Sequence, residues 1–184
     1  MLGWVTWVHQ LESTTNMTKR KYTGNTDGVA KGLRPGTKVF ISEVIKLSNG
    51  ALWNNGDFGV RNMRDKESLS VHATGRAVDL SYRHIVDVKD ASNTKGVKNG
   101  RIEAMRILKI LVANADALGL EAAFDYIVKP HGRGWRCDRG GWSNYKTKTM
   151  SGGGSGDWIH LEISPAMADD PQKMREAFQN LRLP

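Results

Sequence analysis

The sequence predicts an α+β fold, a small antiparallel sheet with flanking helices, preceded by a β-rich N-terminal segment. Three observations carry this expectation. Residues 1–60 are punctuated by turn residues and show no helical period longer than two turns. Arg101–Leu118 places apolar side chains on one helical face. Arg76–Ser81 and Trp158–Ile163 alternate apolar and polar residues as half-buried strands do. At 184 residues and 20.4 kDa the chain suits one compact domain or a domain with a small appendage. The character changes near residue 60, so the expected division is a segment 1–60 and a domain 61–184.

Within the first segment, Trp4–His9 and Lys38–Ile45 read as strands, separated by turns at Gly24-Asn25, Gly28, Gly32, Pro35-Gly36 and Asn49-Gly50. Leu33–Phe40, with Asn49-Gly50 and Trp53, resembles bacterial SH3-like wall-binding modules over about twenty residues. In the second segment the helical face is Met105, Leu108, Leu111, Val112 and Ala115, and Gly119 is a ready terminator. A strand over Ala122–Val128 follows. Near the end, Asp170 caps a helix that starts at Pro171 and buries Met174, Phe178 and Leu181. Ser151–Gly156 is either a natural loop or an introduced linker.

Composition narrows the partners. Lys and Arg outnumber Asp and Glu by 27 to 19, a net charge of +8, which favours anionic partners such as nucleic acid, a membrane surface or acidic wall polymers. The densest stretch is Lys129–Lys148, where Lys129, Arg133, Arg136, Arg139, Lys146 and Lys148 meet only Asp138, with Trp135, Trp142 and Tyr145 interleaved. Cys137 is the only cysteine, which excludes an internal disulfide and a cysteine-based zinc finger. No apolar stretch approaches a membrane span, so no membrane insertion is expected. The N-terminus lacks the basic flank and apolar run of a signal peptide, so synthesis in a cytoplasm is expected. Without a coiled coil or an apolar interface stripe, a monomer is expected.

Chemistry concentrates in Ser70-Val-His72-Ala-Thr-Gly75-Arg-Ala77-Val-Asp79 and in Asp157-Trp-Ile-His160. A catalytic zinc takes three protein ligands from imidazole and carboxylate and keeps one position open. His72, Asp79 and His160 supply such a set, and Asp157, three residues before the last of them, is the candidate general base, its direction not fixed by strand parity. Gly75 permits a tight turn after His72. Alternation then puts Ala77, Asp79 and Ser81 on one face of the first strand, and Trp158, His160 and Glu162 on one face of the second. Two neighbouring antiparallel strands would present Asp79 and His160 on one surface. Ser70 reads as ordering the turn or touching substrate, and Trp135 as core or as a substrate platform.

The Ser-x-His-x-x-Gly-x-Ala-x-Asp pattern with a downstream acidic-x-x-His resembles the zinc D-Ala-D-Ala carboxypeptidases and L-alanyl-D-glutamate endopeptidases, a fold shared with several phage endolysins and the hedgehog signalling domain. The resemblance covers Arg61–Ser164. It implies zinc on His72, Asp79 and His160, and a catalytic base at Asp157, where many carboxypeptidases have Glu and phage-type peptidases have Asp. It also implies an arginine shortly before the first ligand that holds substrate or developing charge; Arg61 and Arg64 are the candidates. Gly132-Arg-Gly-Trp135-Arg136, followed by Gly141-Trp142, is similar to the loop before the last ligand in actinobacterial-phage relatives and marks Trp135 and Arg136 as substrate-binding candidates. The function so implied is hydrolysis of a peptide bond in bacterial peptidoglycan by an endolysin made in the host cytoplasm and acting at the cell wall. The D-Ala-D-Ala and L-Ala-D-Glu bonds remain alternatives. So does a zinc-containing wall-binding module without catalysis. A nuclease would call for a carboxylate-rich magnesium site, so nucleic acid is not an expected partner.

Overall fold

Six strands pair into one antiparallel sheet in the computed structural model of the chain, which describes residues 18–63, 66–90, 93–147 and 156–183. The strands are β1 (Trp53–Gly56), β2 (Ala77–Ser81), β3 (Leu120–Asp125), β4 (Arg133–Arg136), β5 (Gly141–Asn144) and β6 (Trp158–Ile163), in the order β1-β2-β6-β3-β4-β5. The helices are α1 (Pro35–Leu47), α2 (Gly100–Ala113), α3 (Ala115–Leu118), α4 (Pro165–Asp169) and α5 (Pro171–Gln179). The α+β class read from the sequence is the observed one.

The sheet has one apolar face. Val78 and Leu80 of β2, Ala123 of β3, Trp135 of β4, and Ile159, Leu161 and Ile163 of β6 point into the core. The helices cover that face with Phe40, Ile41, Val44, Ala104, Ile107, Leu108, Leu111, Met167, Ala168 and Met174. Each buried Val, Leu, Ile, Phe or Met among them contributes roughly 1.5–3 kcal/mol. Phe40 also meets Phe178 of α5 with ring centroids 5.9 Å apart.

Between residues 18 and 60 the structure departs from the expected β-rich segment. Lys38–Ile45, read above as a strand, lies inside α1, and Leu33–Phe40 opens that helix rather than an SH3-like strand. The β-branched residues suggested a strand, but burial at Thr37, Phe40, Ile41 and Val44 follows the helical spacing i, i+3, i+4, i+7. Pro35 supplies the helix start. Gly36 comes so close to the Met167 carbonyl that a Cβ would lie 2.0 Å from it, which fixes α1 against α4. Phe40, Ile41, Val44 and Leu52 belong to the same core cluster as the sheet, and β1 pairs with β2. The strand expected at Trp4–His9 lies outside the described residues.

Later elements follow expectation with shifted bounds. The helix read over Arg101–Leu118 is divided at Asn114, whose amide donates to the carbonyls of Ile110 and Arg182 and whose Oδ1 accepts from Arg182 N–H. Gly119 ends α3 in the left-handed conformation. Asp170 caps α5 by accepting from Lys173 N–H at 2.9 Å. The strand expected over Ala122–Val128 is β3, which starts earlier and stops at Asp125. The basic stretch after Lys129 forms the β4–β5 hairpin and uses several of its own charges. Arg133 reaches Asp125, Arg136 pairs with Asp138, and Arg139 donates to the Gly134 carbonyl. Residues 151–155 of the glycine-rich segment lie outside the described residues.

A buried arginine ties the layers together. Arg76, with a fully buried side chain, pairs with Asp27 at 2.8 Å and with Glu121 at 3.3 Å, and donates to the carbonyls of Gly24 and Ile163. Asp27 is shared with Arg34, which also pairs with Asp169 at the end of α4. Removing one partner of such a network leaves buried charge uncompensated. Arg76→Met is therefore expected to destabilise the protein by about 3–5 kcal/mol, measured by chemical denaturation, whereas Arg175→Met on exposed α5 should change it by less than about 0.5 kcal/mol.

Candidate metal centre

The site is built on the face of the sheet opposite the core. Asp79 of β2 stands directly across from His160 of β6, and His160 across from Phe124 of β3. This is the arrangement that strand alternation predicted for Asp79 and His160. Phe124 lays its ring against the imidazole, centroids 5.3 Å apart at 25°. The next residue in the row is Gly134, where a Cβ would lie 2.6 Å from the Phe124 ring and 2.1 Å from the Tyr145 hydroxyl. Glycine at 134 thus lets both rings close over this part of the sheet.

His72 arrives from a short 3₁₀ turn, Val71–Thr74. Ser70 caps that turn, its hydroxyl accepting from His72 N–H at 3.3 Å. Gly75 closes it with φ +71°, and its Cα lies so near the Gly32 carbonyl that a Cβ would be 2.4 Å from the oxygen. Only glycine fits both the dihedral and the space. The His72 ring sits edge-on to His160, centroids 4.9 Å apart.

His72, Asp79 and His160 form a group that could hold a metal ion, with ligand atoms that all lie within 4.8 Å of one another. His72 Nδ1 faces the Asp57 carbonyl, which can only accept, so this nitrogen carries a proton and Nε2 is the one turned to Asp79. Nε2 lies 3.4 Å from Asp79 Oδ2. His160 Nδ1 lies 2.8 Å from Asp79 Oδ1, and its Nε2 lies 3.0 Å from Glu162 Oε1. Tyr22 donates its hydroxyl to Glu162 Oε2 at 2.7 Å, and the Arg136 guanidinium lies 4.1 Å from the centroid of the Tyr22 ring. Both imidazoles therefore have an outer partner that orients the ring and sets its tautomer, an arrangement typical of metal-ligating histidines. The donor set, two imidazoles and one carboxylate, suits zinc.

Charge in the metal-free site is arranged around His160. Burial opposes its cationic form, yet the hydrogen bonds to the Asp79 and Glu162 carboxylates prevail and raise its pKa to about 10. Burial likewise pushes Asp79 up, but His160 and His72 together hold it well below the usual carboxylate range. Glu162 is also lowered: burial acts against it, and the bonds from His160 and Tyr22 outweigh that. In the metal-free protein a proton thus holds the place on His160 that a metal ion needs.

The remaining sequence candidates are placed as follows. Asp157 stands just before β6; its carbonyl accepts from Ser81 Oγ and Tyr82 N–H, its Oδ2 lies 3.6 Å from Arg83 Nε, and its Oδ1 is buried without a partner among the described residues. Arg61 is exposed, and its carbonyl accepts from Ser70 N–H. Arg64 lies outside the described residues. Ser70 orders the turn before His72. Trp135, read above as core or as a substrate platform, is only 1% exposed and belongs to the core, because its position in β4 faces the helices. Arg136 supports Tyr22 and pairs with Asp138. The sequence reading gave no role to Asp57, Tyr22, Glu162 or Arg83. Glu162 alone had a signal, since it shares strand parity with His160.

Comparison with protein families, with curated proteins and with solved structures returns no match. The fold and the His72–Asp79–His160 group therefore define the chain as an α+β protein with a site that could hold a metal ion.

A metal ion held by this group must displace the proton on His160, so the affinity for added zinc is expected to rise close to tenfold per pH unit between pH 6 and 8, which competition titration with a chromophoric chelator reads. The metal-free protein should show the opposite trend. The His160 pKa is raised on folding, so its contribution to stability is full below about 6.5 and is lost as pH rises through about 10. Thermal melts of metal-free protein should therefore show this contribution disappearing towards alkaline pH.

Proposed function

We propose that this protein is a zinc-dependent peptidase that hydrolyses a peptide bond of bacterial peptidoglycan, of the D-Ala-D-Ala carboxypeptidase or L-alanyl-D-glutamate endopeptidase type used by phage endolysins. The observation that carries this reading is the convergence of His72, Asp79 and His160 on one face of the sheet. These are the three positions of the sequence pattern that resembles those peptidases. His72, Asp79 and His160 would hold the ion. When bound, zinc polarises a carbonyl oxygen and acidifies water.

The protein's own groups supply the rest. Asp157 accepts the proton of the attacking water on its buried, unpartnered Oδ1 and returns it to the amine that leaves. Hydroxide is thereby added to the carbonyl carbon, the C–N bond breaks, and the amine departs protonated. Phe124, Tyr126 and Trp158 form a chain of ring contacts running from His160, with centroids 5.3, 6.3 and 5.7 Å apart, and shield that side of the site from water. The net charge of +8 draws the enzyme to anionic wall polymers, an attraction that salt weakens. No helix among the described residues is long and apolar enough to cross a membrane.

The test is digestion of purified peptidoglycan, with released fragments identified by mass spectrometry. Wild type is expected to release peptides, a chelator to stop it and added zinc to restore it. Asp157→Ala should keep one zinc yet lose about 10²–10⁴-fold in turnover. Zinc binding without cleavage of any wall by the wild type would overturn the peptidase and leave a wall-binding module.

A further inference from the structure

Arg83 lies just beyond β2, outside both sequence motifs, and the fold brings it to Asp157. Its Nε is 3.6 Å from Asp157 Oδ2. The contact is framed by backbone. The Ser81 hydroxyl donates to the Asp157 carbonyl at 3.0 Å and accepts from Arg83 N–H at 3.1 Å. Tyr82 donates its N–H to the Asp157 carbonyl at 3.1 Å and its hydroxyl to the Gly156 carbonyl at 2.9 Å. Three consecutive residues after Leu80 thus grip the two residues that lead into β6.

The arginine is itself braced. Trp53 of β1 donates its indole N–H to the Arg83 carbonyl at 2.9 Å and places its ring 5.4 Å from the guanidinium. Nη2 also reaches Asn55 Oδ1 at 3.4 Å. The ring and Asn55 restrict a guanidinium whose side chain is 45% exposed, so holding a carboxylate costs it less entropy than it would cost an unbraced arginine. The two oxygens of Asp157 are then unequal. Oδ2 has a cation beside it, whereas Oδ1 is buried with no partner among the described residues, a costly state for a carboxylate oxygen unless a proton donor visits it.

We propose that Arg83, braced by Trp53, is the positioning residue for Asp157: it holds Oδ2 and thereby directs Oδ1 to the reacting proton. This rests on the peptidase reading for its catalytic consequence, but the placement of the carboxylate stands independently. It also assigns an arginine to the base itself, whereas Arg61 and Arg64 were sequence candidates for contact with substrate.

The experiment pairs crystal structures of zinc-loaded wild type and Arg83→Met with steady-state digestion of a soluble peptidoglycan fragment by both proteins and by Arg83→Lys. The expected result is an Asp157 carboxylate turned from its wild-type position in Arg83→Met, with zinc content and melting temperature unchanged. Turnover should fall up to about 100-fold at unchanged KM, and lysine should recover part of it. An unmoved carboxylate in Arg83→Met overturns the proposal. So does a raised KM at unchanged kcat, which would make Arg83 a substrate contact. If wild type cleaves nothing, the peptidase reading fails, and the two crystal structures alone decide whether Arg83 positions Asp157.

Discussion

The register between β2 and β6 sets Asp79 against His160, and every other feature of the site depends on that pairing. Side chains alternate along a strand, so a slip of one residue would send Asp79 into the core and bring Val78 to the metal face. The register is held from the other side by Val78, Leu80, Ile159 and Leu161, all buried against the helices. Packing on one face of the sheet thus fixes chemistry on the other. The same pairing carries the rest of the row, from Phe124 against the imidazole to Gly134, whose missing side chain admits Phe124 and Tyr145.

Burial of charge is the second theme, and Arg76, Asp125 and Glu162 carry it with partners. Arg76 lies within the motif, between Gly75 and Ala77, and joins the loop at Gly24–Asp27 to β3 and β6. Buried Asp125 receives both arms of Arg101 and a further contact from Arg133. Glu162 is shared by His160 and Tyr22. These groups have the partners that buried charge requires. Against that background the lone oxygen of Asp157 stands out, and a catalytic carboxylate is where an unpartnered buried acceptor is useful.

Much of the site was legible because its signals are local. His72, Gly75 and Asp79 lie within one turn and one strand, and parity alone places Asp79 and His160 on a common surface. Glu162 could be placed on that surface but not assigned a partner, since its link to Tyr22 joins residues far apart in the chain. Arg83 was silent for the same reason: only strand pairing brings it to Asp157. The α1 segment misled through composition. Val39, Ile41, Val44 and Ile45 favour strands individually by small amounts, while the burial of one helical face outweighs them. Trp135 and Arg136 are adjacent in a basic, aromatic stretch, yet the strand separates their roles. A four-residue strand turns one inward to the core and uses the other to support Tyr22.

The proposal on which the rest turns is that His72, Asp79 and His160 together hold one zinc ion. Anomalous diffraction at the zinc edge from crystals grown with stoichiometric zinc tests it most directly. The account predicts a single strong peak about 2.0–2.2 Å from His72 Nε2, an Asp79 oxygen and His160 Nδ1, with His160 Nε2 still bonded to Glu162. A crystal in which this position carries no zinc, or in which zinc is held by other side chains, would contradict it.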